Sequence, residues 1–209
     1  VCVAYGSYKD EQEMGEMTDG AGVVIAAMQE RRSIRTYTDR PVPDEIVERI
    51  IRAGIEAPTG MGVQPWQFIV VRNKELLKKI SDYCKPILVE SLQGVKDEKA
   101  LGYRTLLEDP AFNIFYNAPV LVIVIGDGRD PMSEYDCALC AGNMLLAASA
   151  MGLGGCWIGS AEVAQENEEI KNDLKIPKHY RIIAPLIIGY PAEIPEKPDR
   201  REPKITWIA

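Results

Sequence analysis

Ala57-Pro58-Thr59-Gly60-Met61-Gly62-Val63-Gln64-Pro65-Trp66-Gln67-Phe68-Ile69-Val70-Val71 runs from a helix end through a side-chain-poor loop into an apolar strand. Pro58 stops the helix, Gly60 and Gly62 open backbone conformations closed to other residues, and Pro65 fixes the chain before Trp66. A plain turn needs the same residues. The loop alone therefore leaves two readings: a connector, or a shelf at a strand mouth where a flat ligand can lie.

Upstream, Pro43-Asp44-Glu45 opens a helix with Asp44 as N-cap and an apolar stripe of Ile46, Val47, Ile50, Ile51 and Ile55. Before it, the run from Ala21 reads as another helix, with Arg31 and Arg32 at its C-terminal end. Residues 1–20 are polar and aperiodic, the composition of a mobile N-terminal arm. The chain begins at Val1, so further upstream residues are expected, and no signal-peptide pattern is visible.

Downstream, Asn73 to Cys84 reads as a helix, and residues 85–116 as a polar, weakly patterned insertion with helical fragments. Segments of that kind often form lids or dimer contacts. Val120 to Ile125 is apolar without alternation, as in a strand buried on both faces. Asp136 to Met151 is nearly apolar all round and rich in small residues, a core helix that Gly152 ends. Gly154 to Gly159 reads as a short strand, Val163 to Leu174 as an amphipathic surface helix, and Arg181 to Ile188 as a buried strand. The tail, residues 190–209, is proline-rich and charged and ends in the strand-like Ile205-Thr206-Trp207-Ile208. It cannot build a core of its own and must lie across something else. The expectation is one domain over residues 21–209.

A length of 209 residues suits one sizeable core, and 46% hydrophobic with 26% charged residues is a globular composition. No apolar run approaches the length of a membrane span, so a cytoplasmic location is expected. A net charge of -7 argues against nucleic-acid or anionic-membrane partners. Against that acidic background, Arg31, Arg32, Arg35 and Arg40 cluster, as do Lys197, Arg200, Arg201 and Lys204, which suits a small anion such as phosphate. The 5 cysteines show no disulfide spacing, and the single histidine, His179, in the polar Pro-Lys-His-Tyr turn, argues against a Ser-His-Asp hydrolase or a multi-histidine metal site. No metal site is expected. The glycines near residue 152 follow a helix and precede a strand, the reverse of a dinucleotide fingerprint, and no P-loop is present. Cys137 and Cys140 fall on one face of an apolar helix, a structural placement.

Arg31-Arg32-Ser33-Ile34-Arg35 is the stronger signal. Arginine forks bind phosphate oxygens bidentately, a serine hydroxyl can donate to the same group, and a cation two residues on can reach another part of the ligand. A solvated basic helix end reads the same way when taken alone.

That motif is followed by Ala57-Pro-Thr-Gly-Met-Gly-Val-Gln-Pro-Trp66, by Asn117-Ala-Pro119 before a buried strand, and by Asn143-Met-Leu-Leu-Ala-Ala148 leading into Gly152-Leu-Gly-Gly-Cys-Trp-Ile-Gly159. In this order and spacing, from about Ala21 to Arg201, the chain resembles the FMN-dependent nitroreductase family. The resemblance implies an α+β sandwich, a central mostly antiparallel sheet flanked by helices, and an intertwined homodimer with FMN at the subunit interface. By position, Arg31 and Ser33 would hold the FMN phosphate with Arg200 or Arg201 from the tail. Arg32 would lie beside them and Arg35 would face the pyrimidine edge. Pro58, Thr59, Gly60 and Gly62 would come from the partner subunit. Trp157, Ile158, Gly159 and Ser160 would run along the ring with a backbone N–H near N5. Gly62 stands where many relatives carry asparagine, and the tail lacks a clean Lys-x-Arg pair.

The activity so implied is transfer of hydride from NADH or NADPH, through flavin N5, to a nitroaromatic, quinone or similar acceptor. No side chain is expected to act as a catalytic acid or base, and Arg35 is expected to tune the flavin. The alternatives are a specialised member, such as a reductive dehalogenase or a flavin-fragmenting enzyme, and a non-catalytic FMN-binding protein.

Overall fold

In a computed structural model, residues 20–208 are described. The expected arm, residues 1–20, therefore lies outside the described residues except for its last position. The chain divides into two units at Arg31 and Arg32. In the first, α1 (Gly20–Glu30) occupies the expected helix. The second unit carries α2 (Asp44–Gly54), β1 (Trp66–Val71), α3 (Lys74–Ser91) and α4 (Glu98–Glu108). It continues through β2 (Val120–Asp127), α5 (Ser133–Ala150), β3 (Gly154–Trp157), α6 (Glu168–Asp173) and β4 (Tyr180–Gly189). It is an α+β unit with a four-stranded antiparallel sheet in the order β1-β2-β4-β3.

β2 is central because its apolar side chains serve two cores. Leu121, Ile123 and Ile125 pack with Leu77, Ile80 and Cys84 of α3, while Val120, Val122 and Val124 pack with Val47 and Ile50 of α2 and Met144 of α5. Alternation along a strand sends successive residues to opposite faces, so a strand covered on both sides reads as a continuous apolar run. The small residues of α5 have a matching cause. A Cβ on Gly54 of α2 would stand 2.5 Å from Met144 Cγ, so the two helices pack at the closest approach their sequences permit.

Several boundaries differ from the sequence expectation. Pro43, not Asp44, sits at the N-cap of α2; Asp44 begins the helix and pairs with Arg72 at 2.6 Å instead of capping. α3 continues through Pro86 to Ser91, seven residues beyond Cys84. Asn73 starts it by accepting the N–H of Leu76, and the region expected as a weakly patterned insertion holds its end and all of α4, which Asp97 caps. The expected helix from Val163 to Leu174 is broken in two. A 3₁₀ segment, Gly159–Glu166, gives way to α6 because the Asn167 side chain accepts the Ile170 N–H and restarts the helix there. β3 stops at Trp157, and residues 205–208 pair with no strand among the described residues.

Burial pushes the Cys84 and Cys140 thiols up to about 12 and Cys137 to about 11. Folding thus favours the neutral thiols. Their contribution to stability is complete below the ordinary thiol value of 9.0 and is lost as pH rises toward 11 and 12. These three cysteines are expected to resist iodoacetamide in the native protein at pH 8 and to react once it is unfolded. Peptide mapping checks this, and native-state labelling of any of the three would contradict their burial.

Candidate functional site

The free edge of β3 is taken by the segment that follows Arg31. Ser33 forms a parallel bridge with Gly155, and the Ile34 N–H donates to the Gly155 carbonyl at 3.1 Å. The buried Ile34 side chain occupies the space beside Gly154, where an added Cβ would stand 2.5 Å from Ile34 Cβ. Tyr37 enters in the same way at Gly189, whose Cβ would lie 2.6 Å from the ring. Its hydroxyl donates to the Ile34 carbonyl at 2.6 Å, and burial pushes the phenol pKa up. Thr38 N–H to Tyr190 O (2.9 Å) and Ala192 N–H to Thr36 O (3.0 Å) fasten the far end. With Ile34 turned into the core, extended backbone sends Ser33 and Arg35 the other way.

Trp157, Ile158, Gly159 and Ser160 continue from the same strand. Ile158 is buried and its N–H donates to Pro185 O at 2.8 Å, so the strip stays on the sheet after β3 ends. The Trp157 indole donates to Glu162 at 3.2 Å, and burial holds that carboxyl above its ordinary value. Gly159 is exposed, and Ser160 is half-buried close to the Tyr103 hydroxyl. Arg35 lies over the Tyr116 ring, its guanidinium carbon 5.8 Å from the centroid. Tyr116, Phe112 and Tyr103 form a chain of edge-to-face contacts at 5.4 and 6.5 Å. Two distant segments, one carrying Arg35 and the other Ser160, therefore meet the same aromatic cluster.

The loop from Pro58 to Gly62 lies elsewhere. It leads into β1, which forms the opposite sheet edge from β3, three strand spacings or roughly 14 Å away. Gly155 lies level with Ile188 and thus with Val120, whereas Trp66 lies level with Gly126, about 20 Å along the strands. Ser33 and the glycine loop thus occupy diagonally opposite corners of one sheet. Met61 and Gln64 join Gly62 at positive φ in this loop, at 53°, 51° and 72°. Asp136, 3% exposed at the start of α5, accepts the Gly60 N–H through both oxygens at 3.2 and 3.1 Å. That carboxylate anchors the loop. Arg200 and Arg201 are exposed in the tail, and among the described residues no hydrogen bond or ion pair joins them to Ser33 or Arg35. A cavity of about 580 Å³ between α3 and α4, lined by Lys78, Lys85, Glu90 and Leu107, contains none of the candidate residues.

Sequence reasoning missed Asp136, Tyr103, Phe112 and Tyr116. Asp136 contacts a glycine 76 positions away, a pairing that no local pattern announces. The aromatic residues left a weak trace as apolar positions in a polar stretch.

The description of the nitroreductase family matches residues 28–190. The chain belongs to the nitroreductase family. By family it is an oxidoreductase. It is similar to a Methanothermobacter thermautotrophicus protein provisionally named NADH dehydrogenase/NAD(P)H nitroreductase, 33% identical over 184 residues, which span 86% of this chain and 83% of that protein. The iodotyrosine deiodinase of Nematostella vectensis is 24% identical over 198 residues, 88% of this chain and 73% of that protein. Among solved structures, a nitroreductase with bound FMN from Bacteroides fragilis superposes with a TM-score of 0.74 at 25% identity, covering 89% of this chain and 98% of that one. Within the described residues, no helix is long and apolar enough to cross a membrane.

Asp136→Ala is expected to cost about 1.5–3 kcal/mol, since it removes a buried charged acceptor from the half-buried Gly60 N–H. Hydrogen exchange should rise at residues 58–64. Unchanged protection there would remove Asp136 from its anchoring role.

Proposed function

We propose that this chain is an FMN-dependent oxidoreductase that works as a homodimer, oxidising NADH or NADPH and reducing a small-molecule acceptor such as a nitroaromatic or quinone. The observation that carries this reading is the docking of Ser33 and Arg35 on the edge of β3, beside the strip from Trp157 to Ser160. The residues fit the group. A hydroxyl and arginines suit a phosphate, the exposed Gly159 leaves a flat backbone surface beside it, and Arg35 supplies a cation that pairs with no carboxylate among the described residues. FMN is bound in the Bacteroides fragilis structure, and NAD(P)H appears in the name of the Methanothermobacter relative.

When bound, FMN would supply the two-electron redox chemistry linking the nicotinamide donor to the acceptor. The protein's share is placement and electrostatics. Arg31 and Ser33 would hold the phosphate, with Arg32 beside them and Arg200 or Arg201 added from the tail. Arg35 would place positive charge at the pyrimidine edge, where reduction develops negative charge. Trp157, Ile158, Gly159 and Ser160 would line the ring.

Pro58, Thr59, Gly60 and Gly62 would be supplied by a second copy, because the separation of the two corners keeps one chain from contributing both halves. A second reading, reductive dehalogenation of a halogenated phenol, is favoured by the deiodinase relative. The same flavin site would serve it.

The purified protein is expected to be yellow, to elute as a dimer, and to bleach when mixed anaerobically with NADH or NADPH. Reoxidation by a quinone or nitroaromatic supports the first reading, and reoxidation only by an iodophenol the second. A colourless protein that takes up no FMN would end both. Arg35→Ala should lower the flavin midpoint potential; an unchanged potential would take Arg35 away from the flavin.

A further inference from the structure

Ser81 and Lys85 stand four residues apart on one face of α3, and both are buried, at 1% and 8% exposed. Among the described residues neither pairs with another side chain. Lys85 Nζ donates to the backbone carbonyls of Asp109 at 2.6 Å and Phe112 at 2.9 Å. Ser81 Oγ accepts the backbone N–H of Ile114 at 3.1 Å. Burying an ammonium without a carboxylate is costly, and it persists where hydrogen bonds to oxygen replace those to water. Here all of those oxygens belong to one turn.

That turn is held on every side. Phe112 N–H donates to Asp109 O at 3.1 Å, Tyr116 N–H to Asn113 O at 2.8 Å, and the Asn113 side chain accepts the Phe115 N–H at 2.9 Å. It ends in two consecutive non-glycine residues at positive φ, Tyr116 at 52° and Asn117 at 53°. Such backbone survives only where the surroundings over-determine it. Its course decides where the Tyr116 ring goes, which is beneath the Arg35 guanidinium with Phe112 packed behind it.

We propose that Ser81 and Lys85 are positioning residues, holding the 109–117 turn so that the Tyr116 ring meets Arg35 and fixes where the Arg35 charge stands. The consequence for the flavin rests on the proposed function, in which Arg35 faces the pyrimidine edge. A guanidinium resting on an aromatic face has fewer places to go than one on a free side chain. The wall of Tyr103, Phe112 and Tyr116 would then act on the reaction through the placement of one cation.

Two measurements test this separately. In the FMN-loaded protein, Lys85→Met keeps the side-chain length and removes its donors. It is expected to lower the flavin midpoint potential in the same direction as Arg35→Ala and to add nothing when the two are combined. Lys85→Arg, which restores donors, should recover part of the shift. A loss of packing alone would lower the melting temperature and leave the potential where it was. A folded Lys85→Met variant with the parent potential, or a shift fully additive with Arg35→Ala, overturns the proposal. If Lys85→Met does not fold, Ser81→Ala and Tyr116→Leu carry the same cycle with the same criteria. In the flavin-free protein, the Arg35 side-chain resonances should carry a ring-current shift that Lys85→Met removes, and its retention in the variant overturns the clamp. A parent protein that takes up no FMN ends the flavin reading, while the resonance measurement still decides whether the clamp exists.

Discussion

A second segment lies against β3 where residue 154, having no side chain, leaves room for Ile34. At Gly154 the space of a Cβ is filled by Ile34, and at Gly155 an added Cβ would stand 2.7 Å from Leu145. Ile34 buries its side chain at that point and gives its N–H to Gly155, and the two residues beside it, Ser33 and Arg35, are turned outward by the alternation of extended chain. Neither is long-ranged in itself. Their position follows from a contact made by the residue between them.

The same sheet is the reason the proposal assigns the two halves of the site to two molecules. Its width and the stagger of its strands put Ser33 and the Gly60–Gly62 loop at opposite corners, each fixed by its own anchor: Ile34 on β3 for one, Asp136 of α5 for the other. The loop has an exposed Met61 at its tip, and Ile205, Trp207 and Ile208 stand exposed in the tail. Exposed apolar side chains of this kind are what the proposed second copy would be expected to cover.

What could be read in the sequence is what depends on near neighbours. The run Val120 to Ile125 was legible as a central strand because burial on both faces removes alternation, whereas the short strand read at Gly154 to Gly159 gave no sign that a second segment would lie against it. Arg31, Ser33 and Arg35 stood out by spacing as candidates, and their role toward a flavin is the proposal made above. Boundaries were less legible where a side chain chose between competing bonds. Asp44 could cap α2 but pairs with Arg72, Asn167 restarts a helix that periodicity alone would carry through, and Pro86 sits inside α3 rather than ending it. Asp136, Ser81 and Lys85 were not legible as site residues at all. Each is a buried polar group whose partners are backbone atoms of another segment, and backbone atoms carry no sequence signature. Ile205 to Ile208 read as strand-like, but among the described residues they pair with no strand, since propensity alone does not supply a partner.

The central claim, a flavin site shared by two copies, is tested most directly by hybrid dimers. One chain would carry Ser33→Ala and Arg35→Ala, the other a replacement of Pro58 to Gly62, with different tags so that only mixed dimers are recovered. Each mixed dimer then holds one site with both halves intact, and the account predicts half the FMN content of the parent while either altered chain alone binds none. Mixed dimers without FMN would mean that each chain builds its site by itself, and the account would be wrong.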